Sequence, residues 1–140
     1  MRALGLDLGT RRIGVALSDS AGTLATPYEV VSRSGERARD HERIAALVAE
    51  VAAEVVVVGL PLSLDGSIGP AARNVLDETG ELRARLAVGV VTWDERLSTV
   101  EAERRLRDAG LNGRGGRRVV DQVAATVILQ SWLDAGQPQG

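Results

Sequence analysis

Three acidic positions interrupt hydrophobic segments of the chain, and together they have the chemistry of a metal site. Asp7 stands in an apolar stretch whose same face otherwise carries glycine and alanine, and the pair Asp94 and Glu95 directly follows a second apolar stretch. Asp121 falls on the same helical stripe as Ile128. Carboxylate oxygens are the hard ligands that Mg²⁺ and Mn²⁺ prefer. Two such ions about 4 Å apart activate a water and stabilise the leaving oxygen of a phosphodiester, so these residue types predict a metal-dependent nuclease.

Each of these acids also has an ordinary structural explanation. Asp7 fits a turn-flanking residue that makes local hydrogen bonds, and Asp121 fits the first turn of a helix, where it favours the helix dipole. Neighbouring strand residues point to opposite faces, so only one of Asp94 and Glu95 can reach a shared centre. The small residue Gly5 on the face of Asp7 supports the functional interpretation, because it would admit a ligand. A carboxylate on a buried stripe also needs a cation or hydrogen-bond donors.

Five strands are predicted to position these acids in a mixed sheet. Alternating residues near the N-terminus indicate a hairpin and a third strand, and a later continuous apolar run indicates a central strand buried on both faces. The first three strands are joined by short turns and should be antiparallel, whereas the last two are each reached through a helix and should be parallel. The predicted strands cover residues 2–9, 12–18, 23–31, 55–60 and 88–93.

Four helices are predicted to cover this sheet, which gives an α/β fold. Three segments carry apolar residues at helical spacing, and Ser98 with Glu101 has the capping-box pattern that opens another helix. The predicted helices cover residues 40–53, 71–86, 98–109 and 118–135. A length of 140 residues suits one domain. We therefore assign residues 1–135 to the nuclease domain and residues 136–140 to a flexible tail.

The composition excludes several classes of protein and of chemistry. The chain has no cysteine and no lysine, which removes disulfides, thiolate catalysis, cysteine-zinc sites and Schiff-base chemistry. No apolar run reaches the length of a membrane span, and the first residues do not form a secretory signal, so no membrane partner is expected. The three aromatic residues are too few for a protein that stacks single-stranded bases.

The charge of the chain is distributed unevenly. The formal net charge is −2, which is unusual for a nucleic-acid-binding protein. Residues 104–118, however, contain six arginines and one aspartate, which gives this segment a local charge of +5. Arginine suits bidentate contacts with phosphate, so this segment is the expected nucleic-acid contact.

Four sequence blocks resemble the motifs of one family. The first is DLGTRRIGVALSD at residues 7–19, and the second is GLP at residues 59–61, followed by Asp65, Gly66 and Gly69. The third is DERLST at residues 94–99, and the last is DQVAATVILQ at residues 121–130. In their order along the chain these blocks resemble the YqgF/RuvX family, and they span nearly the whole sequence.

This resemblance implies a fold, an activity and a set of site residues. The implied fold is RNase H-like and related to Holliday-junction resolvases. The implied activity is that of a cytoplasmic nuclease assigned to maturation of the 5′ end of pre-16S ribosomal RNA. The metal-binding acids of the family carry over onto Asp7, Glu95 and Asp121, with Mg²⁺ or Mn²⁺ as the cofactor.

The basic residues divide into those expected to contact phosphate and those expected to be solvated surface charges. The residues expected to contact the phosphate backbone are those of the basic segment and two nearer the centre: Arg114, Arg117, Arg118, Arg12 and Arg96. The residues expected to be solvated surface charges lie in or next to the first predicted helix: Arg33, Arg37, Arg39 and His41.

Three alternative functions remain open from the sequence. A DNA nuclease acting on a four-way junction would work as a symmetric dimer, whereas an RNA-processing enzyme could be a monomer or a homodimer. The segment from Asp7 to Thr10 also resembles the phosphate-binding hairpin of actin-like ATPases and sugar kinases, but those need two such domains. A non-catalytic RNA-binding assembly factor would keep the fold without cleaving.

Overall fold

The computed structural model describes the backbone of residues 1–100 and 114–138, and the side chains of residues 1–100 and 122–138. The described part of the chain forms five strands, three α-helices and a short 3-10 turn at Glu95–Leu97. The strands are β1 (Ala3–Leu8), β2 (Arg12–Ser18), β3 (Ala25–Ser32), β4 (Val55–Leu60) and β5 (Gly89–Asp94). The helices are α1 (Arg37–Val51), α2 (Pro70–Arg85) and α3 (Arg114–Asp134).

The strands form one mixed sheet in the order β3-β2-β1-β4-β5. β1 and β2 pair antiparallel, as do β2 and β3, whereas β4 pairs parallel with both β1 and β5. The predicted α/β class and strand directions are therefore confirmed. Pro27 lies on the edge strand β3, at a register irregularity opposite Ala16, a position where a residue without an N–H is tolerated.

The sheet separates two hydrophobic cores, and the alternation along β1 explains why. Leu4 and Leu6 face the core that also contains residues of α1 and α2. Ala3 lies in the other core, with residues of α3 such as Leu129. Strand β4 contributes to both cores and is buried through its first five residues, as its continuous apolar run predicts. The face of β1 that carries Asp7 is thus the face covered by α3.

Two predicted helix starts differ from the structure by three or more residues. Helix α1 begins at Arg37 instead of residue 40, and Asp40 lies in its first turn. Its carboxylate there accepts the Ser34 N–H at 3.0 Å. Helix α3 begins at Arg114 instead of residue 118, so two glycines that disfavour helices lie inside it. The predicted helix 98–109 lies outside the described residues except at its start, where the Val100 N–H donates to Ser98 Oγ at 3.4 Å.

The segment after α3 makes hydrogen bonds with the body of the domain. Trp132 Nε1 donates to the Pro138 carbonyl at 2.7 Å, and Gln137 Nε2 donates to the Gly22 carbonyl at 3.2 Å. Residues 139 and 140 lie outside the described part, and the flexibility of the tail stays a prediction. Among the described helices, none is both long and apolar enough to cross a membrane.

Replacing Gly5 by alanine should destabilise the fold, because α3 packs directly on β1. A Cβ atom at Gly5 would lie 2.7 Å from the Leu129 Cβ and 3.1 Å from the Ala125 carbonyl oxygen. We expect Gly5→Ala to lower the free energy of unfolding by about 1–3 kcal/mol, measured by urea denaturation. The control is Gly89→Ala, which has nothing within 4 Å of its Cβ and should lose no stability. Equal effects of the two substitutions would contradict this close packing.

Candidate active site

Asp7 lies near the carboxyl end of β1 and is almost completely buried, with 1% of its surface exposed. It pairs with Gly14 of β2 in the antiparallel ladder. The chain turns immediately afterwards, where the Gly9 N–H donates to the Asp7 carbonyl at 3.0 Å. Since Ala3 and Gly5 on the same face pack against α3, the side chain of Asp7 belongs to that side of the sheet.

Glu95 is the first residue after β5 and is also buried, with 3% of its surface exposed. Its side chain passes over Gly59 of β4, because a Cβ atom on Gly59 would lie 3.1 Å from the Glu95 Cγ. The same Cβ would lie 2.4 Å from Ile128 Cδ1 of α3. Glu95 therefore lies on the α3 face of the sheet, as Asp7 does.

The topology brings these two acids to one edge of the sheet. The parallel register pairs Leu6 with Val58, so the position of Asp7 in β1 corresponds to that of Gly59 in β4. The carboxyl ends of β1, β4 and β5 coincide, and ligand sites of α/β sheets favour such an edge. Two buried carboxylates, those of Asp7 and Glu95, thus share one face and one edge of the sheet.

The third predicted acid, Asp121, lies on helix α3, where the structure describes its backbone. Asp121 lies one turn before Ala125, whose carbonyl approaches Gly5, and two turns before Ile128, which approaches Gly59. The side chain of Asp121 lies outside the described residues. Among the side chains that the structure describes, no three aspartates, glutamates or histidines cluster as a metal site would require, so all three ligands, Asp7, Glu95 and Asp121, stay a prediction.

One serine ties α3 to the strand end that carries Glu95. Trp93 Nε1 of β5 donates to Ser131 Oγ at 2.9 Å, and Ser131 Oγ donates to the Leu97 carbonyl at 3.1 Å. The helix is therefore bonded to both the strand before Glu95 and the turn that contains it.

Asp94 has a different partner, which separates it from its neighbour Glu95. Its carboxylate accepts the Arg96 backbone N–H at 2.9 Å and the Arg96 guanidinium at 2.7 Å. The side-chain hydrogen bond from Arg96 lowers the pKa of Asp94 against the opposing effect of burial. Asp94 thus caps the 3-10 turn.

The predicted nucleic-acid-binding arginines fall into two groups. Arg96 donates to the Leu64 carbonyl at 3.3 Å, so it connects loop 61–69 to the end of β5. Arg12 begins β2, two residues before the partner of Asp7, and belongs to the same face. The side chains of the other three lie outside the described residues, although all three are in the first turns of α3: Arg114, Arg117 and Arg118.

Residues 1–135 match a family model described as "RuvX: Holliday junction resolvase". The chain belongs to the RuvX family. The resemblance seen in the four sequence blocks is thereby confirmed.

Two relatives agree with this membership of the RuvX family, and one solved structure shares the fold. The chain is 48% identical to the "Putative pre-16S rRNA nuclease" of Desulforudis audaxviator over 135 residues, which cover 96% of this chain and 95% of the relative. It is 52% identical over 135 residues to the protein of that name from Mycobacterium ulcerans, and the match covers 95% of this chain and 78% of the relative. RuvC of Thermus thermophilus, solved with a Holliday junction substrate, matches 99% of this chain and 98% of its own, with a TM-score of 0.60 and 18% identity.

These likenesses establish the fold and the class of reaction. The RuvC match shows that this RuvX-family chain has the RNase H-like fold. Its family and its relatives are nucleases, so the chain is a hydrolase of phosphodiester bonds in nucleic acid. Enzymes with this fold generally use divalent metal ions. The predicted enzyme class is therefore confirmed.

Two predictions about surface charges in this RuvX-family chain are wrong. His41 is 2% exposed instead of solvated, and its Nε2 lies 2.7 Å from Glu78 Oε2. The side chain of Arg33 is 15% exposed and binds both oxygens of Glu78, at 2.6 and 2.9 Å. The predictions fail because these partners come from distant segments. Arg37 and Arg39 are exposed, as predicted.

Sequence reasoning overlooked Glu78 and the close packing at Gly59, although both gave a signal. Glu78 shares the apolar stripe of α2 with Val75 and Leu82, a position where an acid needs partners. Gly59 directly follows a run of four valines within the same strand, which indicates close approach of another group. That group is the side chain of Glu95 together with α3.

Acid should weaken the fold through Glu78. Burial alone raises the pKa of Glu78, but hydrogen bonds from Arg33 and His41 and the charges of Arg33 and Arg37 outweigh it and hold the pKa below its ordinary value of 4.5. A depressed pKa in the folded state stabilises the fold above pH 4.5, and this contribution disappears as the pH falls through the lower folded-state pKa.

The measurement is urea denaturation of the wild type and Glu78→Gln from pH 7 to about pH 3. We expect the free energy of unfolding of the wild type to exceed that of Glu78→Gln. The difference should be constant above the ordinary pKa of Glu78 and should shrink as the pH falls below it. A margin that does not change with pH would contradict the assignment.

Proposed function

We propose that the chain is a divalent-metal-dependent nuclease that matures the 5′ end of pre-16S ribosomal RNA, with Asp7, Glu95 and Asp121 as its metal ligands. The observation that carries the proposal is the pair of buried carboxylates at one edge and on one face of the sheet. The substrate follows the names of relatives that are about half identical over nearly the whole chain. A ribosomal substrate places the activity in the cytoplasm.

The chemistry of the donor set fits a divalent cation. Asp7 and Glu95 offer carboxylate oxygens only, and both are withdrawn from water, where an ionised carboxylate needs a cation or hydrogen-bond donors. Gly59 leaves room for the Glu95 side chain above β4. Oxygen ligands without cysteine or an adjacent histidine suit Mg²⁺ or Mn²⁺ better than zinc.

The residues of the chain divide the work of phosphodiester hydrolysis. Asp7 and Glu95 would hold divalent cations at a fixed edge of the sheet. Cations held there would lower the pKa of the attacking water and stabilise the leaving oxygen. The arginines at positions 114, 117 and 118 bind neighbouring phosphates and set the register of the strand, because phosphate contacts position a nucleic acid without reading its sequence.

A DNA four-way junction is the second candidate substrate. The family description names a Holliday junction resolvase, and RuvC shares the fold. A resolvase cuts two strands symmetrically and needs a two-fold dimer, whereas maturation of one RNA end requires a single site. The oligomeric state, monomer or homodimer, together with the preferred substrate therefore distinguishes a junction resolvase from an RNA-maturing nuclease.

Removing either buried carboxylate should abolish cleavage. We expect Asp7→Asn and Glu95→Gln to lower the cleavage rate by about 100-fold or more in Mn²⁺ or Mg²⁺, because even residues that only support a metal ligand contribute about 10- to 100-fold. The matched controls are Asp77→Asn and Glu54→Gln, which change exposed acids and should leave the rate unchanged.

The assay uses a labelled pre-16S leader, an unrelated single-stranded RNA and a four-way DNA junction, each with and without chelator. Preferred cleavage of the leader supports the rRNA assignment, and preferred cleavage of the junction replaces it. A wild-type protein that binds the leader but cuts none of the three substrates with either metal would leave a non-catalytic assembly factor as the better explanation.

The arginines at the start of α3 should govern the salt dependence of binding. Replacing Arg114, Arg117 or Arg118 by alanine should weaken binding to all sequences and reduce the slope of log K against log salt by about 0.7–1 for each lost phosphate contact. The control is Arg39→Ala, an exposed arginine on α1. Binding measured by fluorescence anisotropy at several salt concentrations gives the slope. An unchanged slope in all three variants would exclude this segment as the phosphate contact.

A further inference from the structure

Arg33 holds the turn between β1 and β2 from two directions. Its side chain donates two hydrogen bonds to the Gly9 carbonyl, from Nε at 3.0 Å and from Nη2 at 2.8 Å. Its backbone N–H donates to the Arg11 carbonyl at 2.9 Å. One residue of the segment after β3 therefore binds both sides of a three-residue turn.

That turn is directly attached to Asp7. The Gly9 N–H donates to the Asp7 carbonyl, and a Cβ atom on Gly9 would lie 2.5 Å from the Arg12 carbonyl oxygen, so the turn has little space to rearrange. The carbonyl that Arg33 binds is two residues from the carboxylate. A displaced turn would therefore displace the end of β1 that carries Asp7.

Arg33 is itself fixed by buried groups from two helices. Both of its Nη atoms bond to Glu78 of α2, and Glu78 also accepts a hydrogen bond from His41 of α1. Glu78 and His41 are 3% and 2% exposed. The guanidinium fork of Arg33 is thus held in a single orientation, with Nε and Nη2 directed at the Gly9 carbonyl.

Fold stability alone is a weak explanation for this arrangement. A buried ion pair loses much of its attraction to desolvation, and apolar residues of similar size often stabilise a fold as well or better. A planar guanidinium with fixed partners instead fixes the position of the carbonyl that it binds. A carboxylate that ligates a metal needs its own position fixed in this way. The cluster formed by Arg33, Glu78 and His41 lies on the α1 and α2 side of the sheet, opposite the side that carries the Asp7 carboxylate.

We infer that Arg33, held by Glu78 and His41, is a positioning residue that fixes the β1–β2 turn and thereby the metal-binding carboxylate of Asp7. This inference rests on the proposed function, since it assumes that Asp7 is a metal ligand. It assigns a role in the nuclease site to residues that contact neither metal nor substrate.

The test measures Mn²⁺ binding by the full chain without nucleic acid, using isothermal titration calorimetry. We expect Arg33→Ala to weaken Mn²⁺ binding about 10-fold, within the range for residues that orient metal ligands. Arg33→Lys keeps the charge but loses the fork, so its affinity should lie between those of Arg33→Ala and the wild type. Glu78→Gln should weaken binding less than Arg33→Ala does. The matched control, Arg39→Ala, should bind as the wild type does.

Amide hydrogen exchange separates positioning from general destabilisation. In the metal-free protein, Arg33→Ala should speed exchange in a peptide spanning residues 7–14, while exchange across β4 (Val55–Leu60) stays at the wild-type rate. Raising the Mn²⁺ concentration should restore most of the cleavage rate of Arg33→Ala but not that of Asp7→Asn. If Arg33→Ala does not fold, the same criteria apply to Arg33→Lys and Glu78→Gln at a temperature where each is folded.

The outcomes distinguish this inference from the proposed function. Wild-type Mn²⁺ affinity in a folded Arg33 variant, with affinity lost in Asp7→Asn, would overturn the positioning role and leave the metal site intact. Equal Mn²⁺ binding by the wild type and Asp7→Asn would overturn the proposed ligand itself. Exchange that speeds equally across the turn and β4 would reduce Arg33 to an ordinary stabilising residue.

Discussion

The close packing of helix α3 on the sheet is the constraint from which the site follows. Gly5 and Gly59 leave no side chain between the strands and the helix, and a Cβ on either would meet Leu129 or Ile128 at less than 3 Å. The helix therefore covers the strand ends at which Asp7 and Glu95 lie buried. Carboxylates so enclosed are costly unless cations or hydrogen-bond donors compensate them.

At the edge where β1, β4 and β5 end, one side of the sheet encloses the acids and the other side binds the turn that follows Asp7. On the α3 side, strand ends and helix enclose the acids. On the opposite side, Arg33, held by Glu78, binds the turn that follows Asp7. The parallel arrangement of β1, β4 and β5 makes this division possible, since all three strands end at one edge. A rigid scaffold on one face can thereby support reactive groups on the other.

Local patterns predicted much of the fold and singled out Asp7 as a candidate site residue, because it interrupts an apolar stretch. The alternation of β1 and the valine run of β4 predicted strands, and the lengths of the connections correctly predicted the strand directions. The cluster around Arg33 was missed, because its partner Glu78 is 45 residues away and only the fold brings them together. His41 did give a signal, since it precedes the buried Ile44 by three residues and so shares its face of α1.

The most direct test of the account is a crystal structure of the chain grown with Mn²⁺, analysed for anomalous scattering at the manganese edge. The account predicts a manganese peak bonded to the carboxylates of Asp7 and Glu95 on the α3 side of the sheet, with Asp121 completing the protein ligands. Manganese bound elsewhere, or no peak at these carboxylates at saturating Mn²⁺, would contradict it.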